Sequence, residues 1–199
     1  MRDQPVRRRL GVDERRAQLL QIGCELFATT PYDEVWIEHV AARAGVSRGL
    51  LYHYFGSKRG FLHAVVRHET AAIFAATGPD PGKPAAERLT DSLDAYLAYA
   101  VAHPHGYRTL FRGAGGADSE VRALVEANLR RQRDRIAAQI APDGPTPALL
   151  RAVSGWLAFT ITVTLEWLDE QDLRPAQVRD LCADALAAVV GSLHAAGLC

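Results

Sequence analysis

Cysteine is scarce in this chain of 199 residues, which contains three copies, Cys24, Cys182 and Cys199. They stand alone, without the paired spacing of a disulfide framework or of a cysteine-ligated zinc site. A fold held together by disulfides is therefore excluded, and free thiols suit a reducing compartment.

Long hydrophobic runs are also missing. The longest uncharged apolar run, residues 152–165, is rich in threonine and too short to span a bilayer. The arginines at positions 7–9 are not followed by the apolar stretch of a signal peptide. We therefore expect a soluble cytoplasmic protein that has no membrane partner.

Catalytic and metal-binding patterns are absent as well. The sequence shows no Ser-His-Asp order, glycine-rich phosphate loop or pair of carboxylates. His63 and His68 are five residues apart, on poorly matched helix faces, and His103 and His105 flank a proline. We expect no enzymatic activity, no catalytic residue, no metal and no cofactor.

The net charge is zero, but the two signs are unevenly distributed along the chain. Residues 1–68 contain 11 Lys and Arg against 7 Asp and Glu, whereas residues 69–199 contain 12 against 16. A basic N-terminal part on a mildly acidic body suits a nucleic-acid reader attached to a second unit. This asymmetry supports such a function without establishing it.

Hydrophobic periodicity and capping residues predict an all-α fold of about nine helices. Asp13 can cap the first helix, Ser47 the third and Ser57 the fourth, and proline and glycine form the loops between helices. The predicted helices cover about 13–29, 37–44, 48–55, 58–76, 85–102, 104–113, 119–140, 147–169 and 175 almost to the C-terminus.

Residues 159–167 carry two conflicting patterns. Apolar residues alternate with threonine and glutamate there, which is typical of a strand. Small or polar residues also recur at helical spacing, and an isolated strand would have no pairing partner. We predict a helix with an exposed stripe formed by Arg151, Gly155, Ala158, Thr162, Glu166 and Asp169.

Residues 44–58, AGVSRGLLYHYFGSK, have the pattern of a helix-turn-helix. Leu51 and Phe55 lie one turn apart and can hold the third helix against the second, which turns Arg48 outward. A guanidinium can donate two hydrogen bonds to guanine, so Arg48 is the predicted base reader. Tyr52 and Lys58 suit phosphate contacts.

The same residues resemble a known family. Phe27, Val40-Ala41, Ala44 to Ser47, Leu51-Tyr52, Tyr54-Phe55 and Ser57-Lys58 look like the N-terminal domain of TetR-type repressors over about residues 13–65. The resemblance implies a DNA-binding domain over 1–57, with a flexible basic arm at 1–12, and a body over 58–199. It implies DNA contacts at Ser47, Arg48, Gly49, Leu50, Tyr52, His53, Tyr54 and Lys58.

The chain departs from the family pattern at two positions. Trp36 stands where the family usually has a threonine or serine that caps the second helix and touches a phosphate, and Pro31 stands where a glycine is frequent. Both departures put the local capping in doubt. The arm residues Arg2, Arg7, Arg8 and Arg9 can add DNA contacts or form a solvated tail.

For the body, the resemblance implies an effector-binding domain whose last two helices form a homodimer. The ninth helix supports this independently, because one face is apolar and requires a partner, either the eighth helix or a second copy. Two copies would read double-stranded DNA as a pseudo-palindromic operator. The residues of that face are Val178, Leu181, Cys182, Ala185, Val189 and Leu193.

Aromatic side chains of the body are candidates for an effector pocket, although most aromatic residues of this kind are ordinary core residues. Together with a few polar groups, and without clustered charge, they suggest a small and largely apolar effector. The candidates are Phe74, Tyr96, Tyr99, His103, Tyr107, Phe111, Trp156, Phe159, Thr160, Glu166 and Trp167.

The sequence therefore predicts a dimeric, ligand-responsive DNA-binding repressor that a small-molecule effector releases from its operator. The alternative is a helical small-molecule-binding or scaffold protein whose helix-turn-helix is vestigial, with Trp36 as the residue that favours it.

Overall fold

The computed structural model describes residues 11–30, 37–112 and 118–198, and within these ranges it contains nine α-helices and no strand. The all-α prediction is confirmed. The helices are α1 (Val12–Thr29), α2 (Ile37–Ala44), α3 (Arg48–Phe55), α4 (Lys58–Ala76), α5 (Ala85–Ala102), α6 (Pro104–Arg112), α7 (Ser119–Ile140), α8 (Pro147–Glu170) and α9 (Pro175–Ala195).

Local capping sets most of these boundaries. The Ser47 hydroxyl accepts from the Leu50 N–H at 3.2 Å, and the Ser57 hydroxyl accepts from the Gly60 N–H at 2.9 Å. The predicted N-cap of α1, Asp13, was wrong by two residues. The N-cap is Gly11, whose N–H donates to the Glu14 carboxylate at 2.9 Å, and Asp13 lies inside the first turn.

The ambiguous segment 159–167 is helical and belongs to α8. All six residues of the predicted stripe are exposed, and the Thr164 hydroxyl donates to the Thr160 carbonyl at 2.8 Å. Among the described residues, α8 is also the one helix long and apolar enough to cross a bilayer. It packs against α5, α6, α7 and α9 here, and the core helix of a soluble protein meets the same criterion.

Two large apolar clusters hold the helices together. The first joins α1, α2 and α3 to α4 and continues through Leu110, Val121 and Val125 into α6 and α7. The second lies among α5, α6, α8 and α9 around Tyr107, Trp156 and Cys182. Because α4 and α7 pack along each other, the end of the molecule that contains α1, α2 and α3 is connected to the body by continuous packing.

Candidate functional site

The turn between α2 and α3 places α3 at the surface. Gly45 has φ of 64°, and the Val46 N–H donates to the Ala41 carbonyl at 3.0 Å, which ends α2 before Ser47 starts α3. Leu51 is fully buried in the same cluster as Val40 and Ala41. Leu51 is thus the one residue of α3 that is fully buried.

Phe55 packs against the same apolar cluster and also makes contacts that the sequence did not predict. It packs edge-to-face on Phe61 of α4, with 4.9 Å between ring centroids, and the Arg16 guanidinium lies 5.3 Å from its ring centroid. The described contacts of its ring therefore attach the end of α3 to α4 and α1, while Leu51 provides the contact with α2.

The predicted DNA contacts share the outer side of α3 and the start of α4. Ser47, Arg48, Gly49 and His53 are exposed, and four others are half-buried. The half-buried residues are Leu50, Tyr52, Tyr54 and Lys58, of which Tyr52 and Tyr54 also pack against the apolar cluster. Around α3 these positions lie away from the buried Leu51, which leaves them accessible to a partner that surrounds the exposed part of the helix, as a DNA groove does.

Arg48 has two protein partners in the absence of DNA. Its Nη1 lies 2.8 Å from the Glu38 carboxylate, and its guanidinium lies 5.3 Å from the centroid of the Tyr52 ring. Both Arg48 and Glu38 are more than half exposed, so this ion pair is weak. Sequence reasoning missed Glu38, because nothing local connects the start of α2 to the start of α3.

Some predicted features lie outside the described residues. These are the capping role of Trp36, the departure at Pro31, and the arm that contains Arg2, Arg7, Arg8 and Arg9.

An ionic cluster ties the start of α4 to the start of α7. Arg59 Nε lies 2.8 Å from the Asp118 carboxylate, and the buried His63 places Nε2 3.0 Å from Asp118 and Nδ1 3.0 Å from Glu120. Asp118 also caps α7 by accepting from the Glu120 N–H at 2.9 Å. The Arg59 guanidinium, and then His63, hold the pKa of Asp118 well below its usual value.

We expect Asp118→Asn to lower the melting temperature near neutral pH, because asparagine keeps the cap but loses the charge that pairs with Arg59 and His63. A depressed pKa stabilises the fold above the ordinary value of 3.8 and loses this effect as the pH falls below it. The difference between wild type and variant should therefore shrink below about pH 4.

Thermal unfolding at several pH values measures this difference. The control is Asp134→Asn, which removes an exposed carboxylate paired with its neighbour Arg133 and should leave the melting temperature nearly unchanged. A difference for Asp118→Asn that stays constant down to about pH 2 would show that its charge does not stabilise the cluster.

A second network ties the end of α4 to α7. Arg135 donates to the carbonyls of Phe74 at 2.7 Å and Thr77 at 2.9 Å, and Gln132 donates to the Thr77 hydroxyl at 3.0 Å. Arg135 thereby satisfies carbonyls that the last turn of α4 leaves unpaired. Burial, and then the nearby Arg131, lower the pKa of Arg135.

A cavity of about 610 Å³ lies between the end of α4 and helices α5, α7, α8 and α9. This volume is in the range of small-molecule sites. Ile73 of α4 and Thr77, the residue that caps its C-terminus, belong to the cavity wall, so the helix that starts directly after α3 ends at the cavity. Most of the other wall residues are apolar, including Leu89, Leu93, Leu129, Ile136, Leu157 and Ile161.

Four of the eleven candidate effector contacts line this cavity: Tyr96, Phe111, Trp156 and Thr160. The Tyr96 hydroxyl forms a hydrogen bond with that of Tyr107, and burial raises the pKa of both phenols. Trp156 Nε1 donates to the Cys182 carbonyl at 2.8 Å and so connects α8 to α9 behind the cavity wall.

The other seven candidates lie outside the cavity wall. Phe74 packs under Arg131 and Arg135, with the two guanidinium carbons 4.1 and 4.0 Å from its ring centroid. Tyr107 and Trp167 are buried in the core of the body. Tyr99 and His103 stack on each other near Glu69, whereas Phe159 and Glu166 are exposed on the outer side of α8.

The apolar face of α9 is divided between two environments. Val178 and Cys182 are fully buried against the body, whereas Leu181 and Val189 are 45% and 37% exposed. Phe159 of α8 is exposed as well, at 38%. Both helices also carry exposed small residues near these apolar side chains: Gly155, Ala158, Ala188 and Gly191.

Two family models match the chain. The one described as "Bacterial regulatory proteins, tetR family" matches residues 19–65, which contain the helix-turn-helix. The one described as "Tetracyclin repressor-like, C-terminal domain" matches residues 85–189, which contain most of the cavity wall and cover more than half of the chain.

Individual proteins are similar along most of the chain. The HTH-type transcriptional activator FasR of Mycolicibacterium smegmatis is 27% identical over 169 residues, which are 81% of this chain and 75% of that protein. The HTH-type transcriptional regulator BetI of Paraburkholderia phytofirmans is 28% identical over 169 residues, 76% of this chain and 80% of that protein. The crystal structure of a TetR-family transcriptional regulator from Streptomyces coelicolor matches with a TM-score of 0.84 and 27% identity, covering 90% of this chain and 82% of that one.

Proposed function

This chain belongs to the TetR family of bacterial regulatory proteins, and from that premise we propose that it is a cytoplasmic repressor released from its operator by a small effector. It is a ligand-responsive, DNA-binding transcriptional regulator, as the family is. The proposal adds three points: the chain represses transcription, the predicted residues of α3 contact the DNA, and the cavity binds the effector.

The observation that carries the proposal is the course of α4. This helix starts at Lys58, directly after the predicted recognition helix, and its C-terminal end contributes Ile73 and the C-cap residue Thr77 to the cavity. The ionic cluster at Asp118 and the network at Thr77 attach its two ends to α7. Any ligand that moves Thr77 therefore also acts on the element that supports α3.

The effector would act by shifting a population of conformations. The effector must bind more tightly to the conformation in which the two helix-turn-helix domains of the dimer no longer match the operator. Only such a difference in affinity shifts the equilibrium between conformations. Displacement of the end of α4 at Thr77 provides such a difference in effector affinity, because Thr77 belongs to the cavity wall.

A gel-shift titration against the DNA upstream of the chain's own gene tests DNA binding. We expect specific binding that weakens steeply as salt concentration rises, because phosphate contacts release counterions. Ligand binding without any operator would favour the alternative, a helical binding protein with a vestigial helix-turn-helix. Since the relative FasR is named an activator, transcription from the bound promoter in vitro tests whether this chain represses.

We also propose that the exposed faces of α8 and α9 form a homodimer. Phe159, Leu181 and Val189 offer apolar area, and the small residues between them allow the helices of two copies to approach closely. A dimer would present two α3 helices to half-sites about 34–36 Å apart.

The double variant Leu181→Glu, Val189→Glu is expected to be a folded monomer with a greatly weakened affinity for the operator, because four like charges would meet in the interface of two copies. Size-exclusion chromatography with light scattering measures the mass. Val101→Glu, at a 54% exposed apolar residue at the end of α5, is the control and should stay dimeric. A double variant that keeps the dimeric mass would exclude this interface.

A further inference from the structure

The cavity wall contains buried polar groups that lack good protein partners. Asn128 is 8% exposed, and its side-chain oxygen has no hydrogen-bond partner in the described part of the chain. Thr160 is 3% exposed, and the Cys182 thiol is the one group there that its hydroxyl can bond to. A thiol is a poor hydrogen-bonding group. An unpaired buried amide is costly, so Asn128 is better explained by a ligand than by the fold.

A cationic group lies at the same cavity. Arg88, in the first turns of α5, lines it, and its buried Nε has no hydrogen-bond partner among the described residues. Of the wall residues described, Asp184 is the one carboxylate; it is exposed and forms no ion pair with Arg88. A buried guanidinium N–H without an acceptor is as unfavourable as an unpaired amide.

Arg135 adds a second positive charge to the wall. Its N–H groups already donate to Phe74, Thr77 and Gln132, so it has a structural role at the end of α4. Those acceptors are neutral and leave its charge uncompensated. Because charges interact more strongly in a partly dry cavity than in water, the α4–α5 side of this site favours an anion.

We propose that the effector is an apolar molecule that carries one acidic group, and that Arg88 binds this group while the apolar wall holds the rest. Asn128 and Thr160 then bind a polar substituent of the same molecule. This inference rests on the proposed function, because it names the chemical class of the effector. It adds one acidic group to the expectation of a small and largely apolar effector, because Arg88, which gave no signal in the sequence, lines the cavity.

Two fluorescent probes that differ by one acidic group provide the test. Anilinonaphthalene sulfonate and phenylnaphthylamine share the same ring system, and the first carries a sulfonate in addition. We expect the wild-type protein to bind the sulfonate at least about tenfold more tightly, and Arg88→Gln to lose about tenfold for the sulfonate alone. The control Arg130→Gln removes the same charge from the exposed side of α7.

Equal affinity of the wild type for both probes, or an unchanged sulfonate affinity in Arg88→Gln, would overturn the inference. Since these titrations contain no DNA, a selective loss in Arg88→Gln supports the inference independently of operator binding. If the probes then fail to alter operator binding, that result counts against the proposed function alone.

Asn128→Leu provides a second, independent readout. Leucine has a similar volume and removes the unpaired amide, so the melting temperature of the ligand-free variant should rise while its affinity for both probes falls. A lower melting temperature without ligand would show that Asn128 serves the fold, which would overturn its assignment to the ligand.

Discussion

Arg48→Ala is expected to weaken specific operator binding by about five- to hundredfold for each helix-turn-helix domain of the dimer, because a bidentate contact with guanine contributes about 1–3 kcal/mol. Arg48 is exposed and its ion pair with Glu38 is weak, so the melting temperature should change little. Fluorescence anisotropy with a labelled operator measures the affinity, and a scrambled duplex measures the non-specific part.

Glu38→Gln is the matched control for Arg48→Ala. It removes the partner that holds the Arg48 side chain at 2.8 Å in the absence of DNA, and it removes a negative charge near the phosphates. Operator affinity should therefore stay the same or rise. If Arg48→Ala binds the operator like the wild type, Arg48 does not read bases, and the assignment of α3 as a base reader loses its main residue.

Leu51→Ala is expected to lower the free energy of unfolding by about 2–5 kcal/mol, because it empties a fully buried site. Leu51 is the residue that holds α3 in the cluster of Val40 and Ala41, so the surviving folded protein should also bind DNA more weakly. Urea titration followed by circular dichroism measures the stability.

Leu50→Ala makes the same substitution one residue earlier on α3. Leu50 is half-buried, so its truncation should cost about 1 kcal/mol or less. Similar losses for the two variants would mean that Leu51 is not the residue that attaches α3.

The boundaries of the helices were predictable because their causes are local. Ser47 and Ser57 cap the helices that follow them within three residues, and Gly45 supplies the left-handed turn between α2 and α3. The same local pattern carried the resemblance to the TetR family, which the family models at residues 19–65 and 85–189 confirm. The start of α1 was missed because the Glu14 carboxylate caps Gly11, and glycine gives no capping signal in a sequence.

The cavity was much less predictable. Aromatic content drew attention to Tyr96 and Trp156, which line the cavity, but it gave equal weight to Phe159, which is exposed, and to Trp167, which is buried in the core. Periodicity gives the relative angles of residues around one helix. Which angle faces a neighbouring helix depends on how all the helices pack.

By itself, the sequence determined the nine helices, the helix-turn-helix and the identity of Arg48 as the exposed cation of α3, because hydrogen bonds and steric restrictions within a few residues specify them. The tertiary structure alone decided that Arg88, Asn128 and Thr160, from three different helices, meet at one cavity. It also decided that α4 joins this cavity to the DNA-reading end. These relations arise from side-chain packing between residues far apart in the chain, for which no local pattern exists.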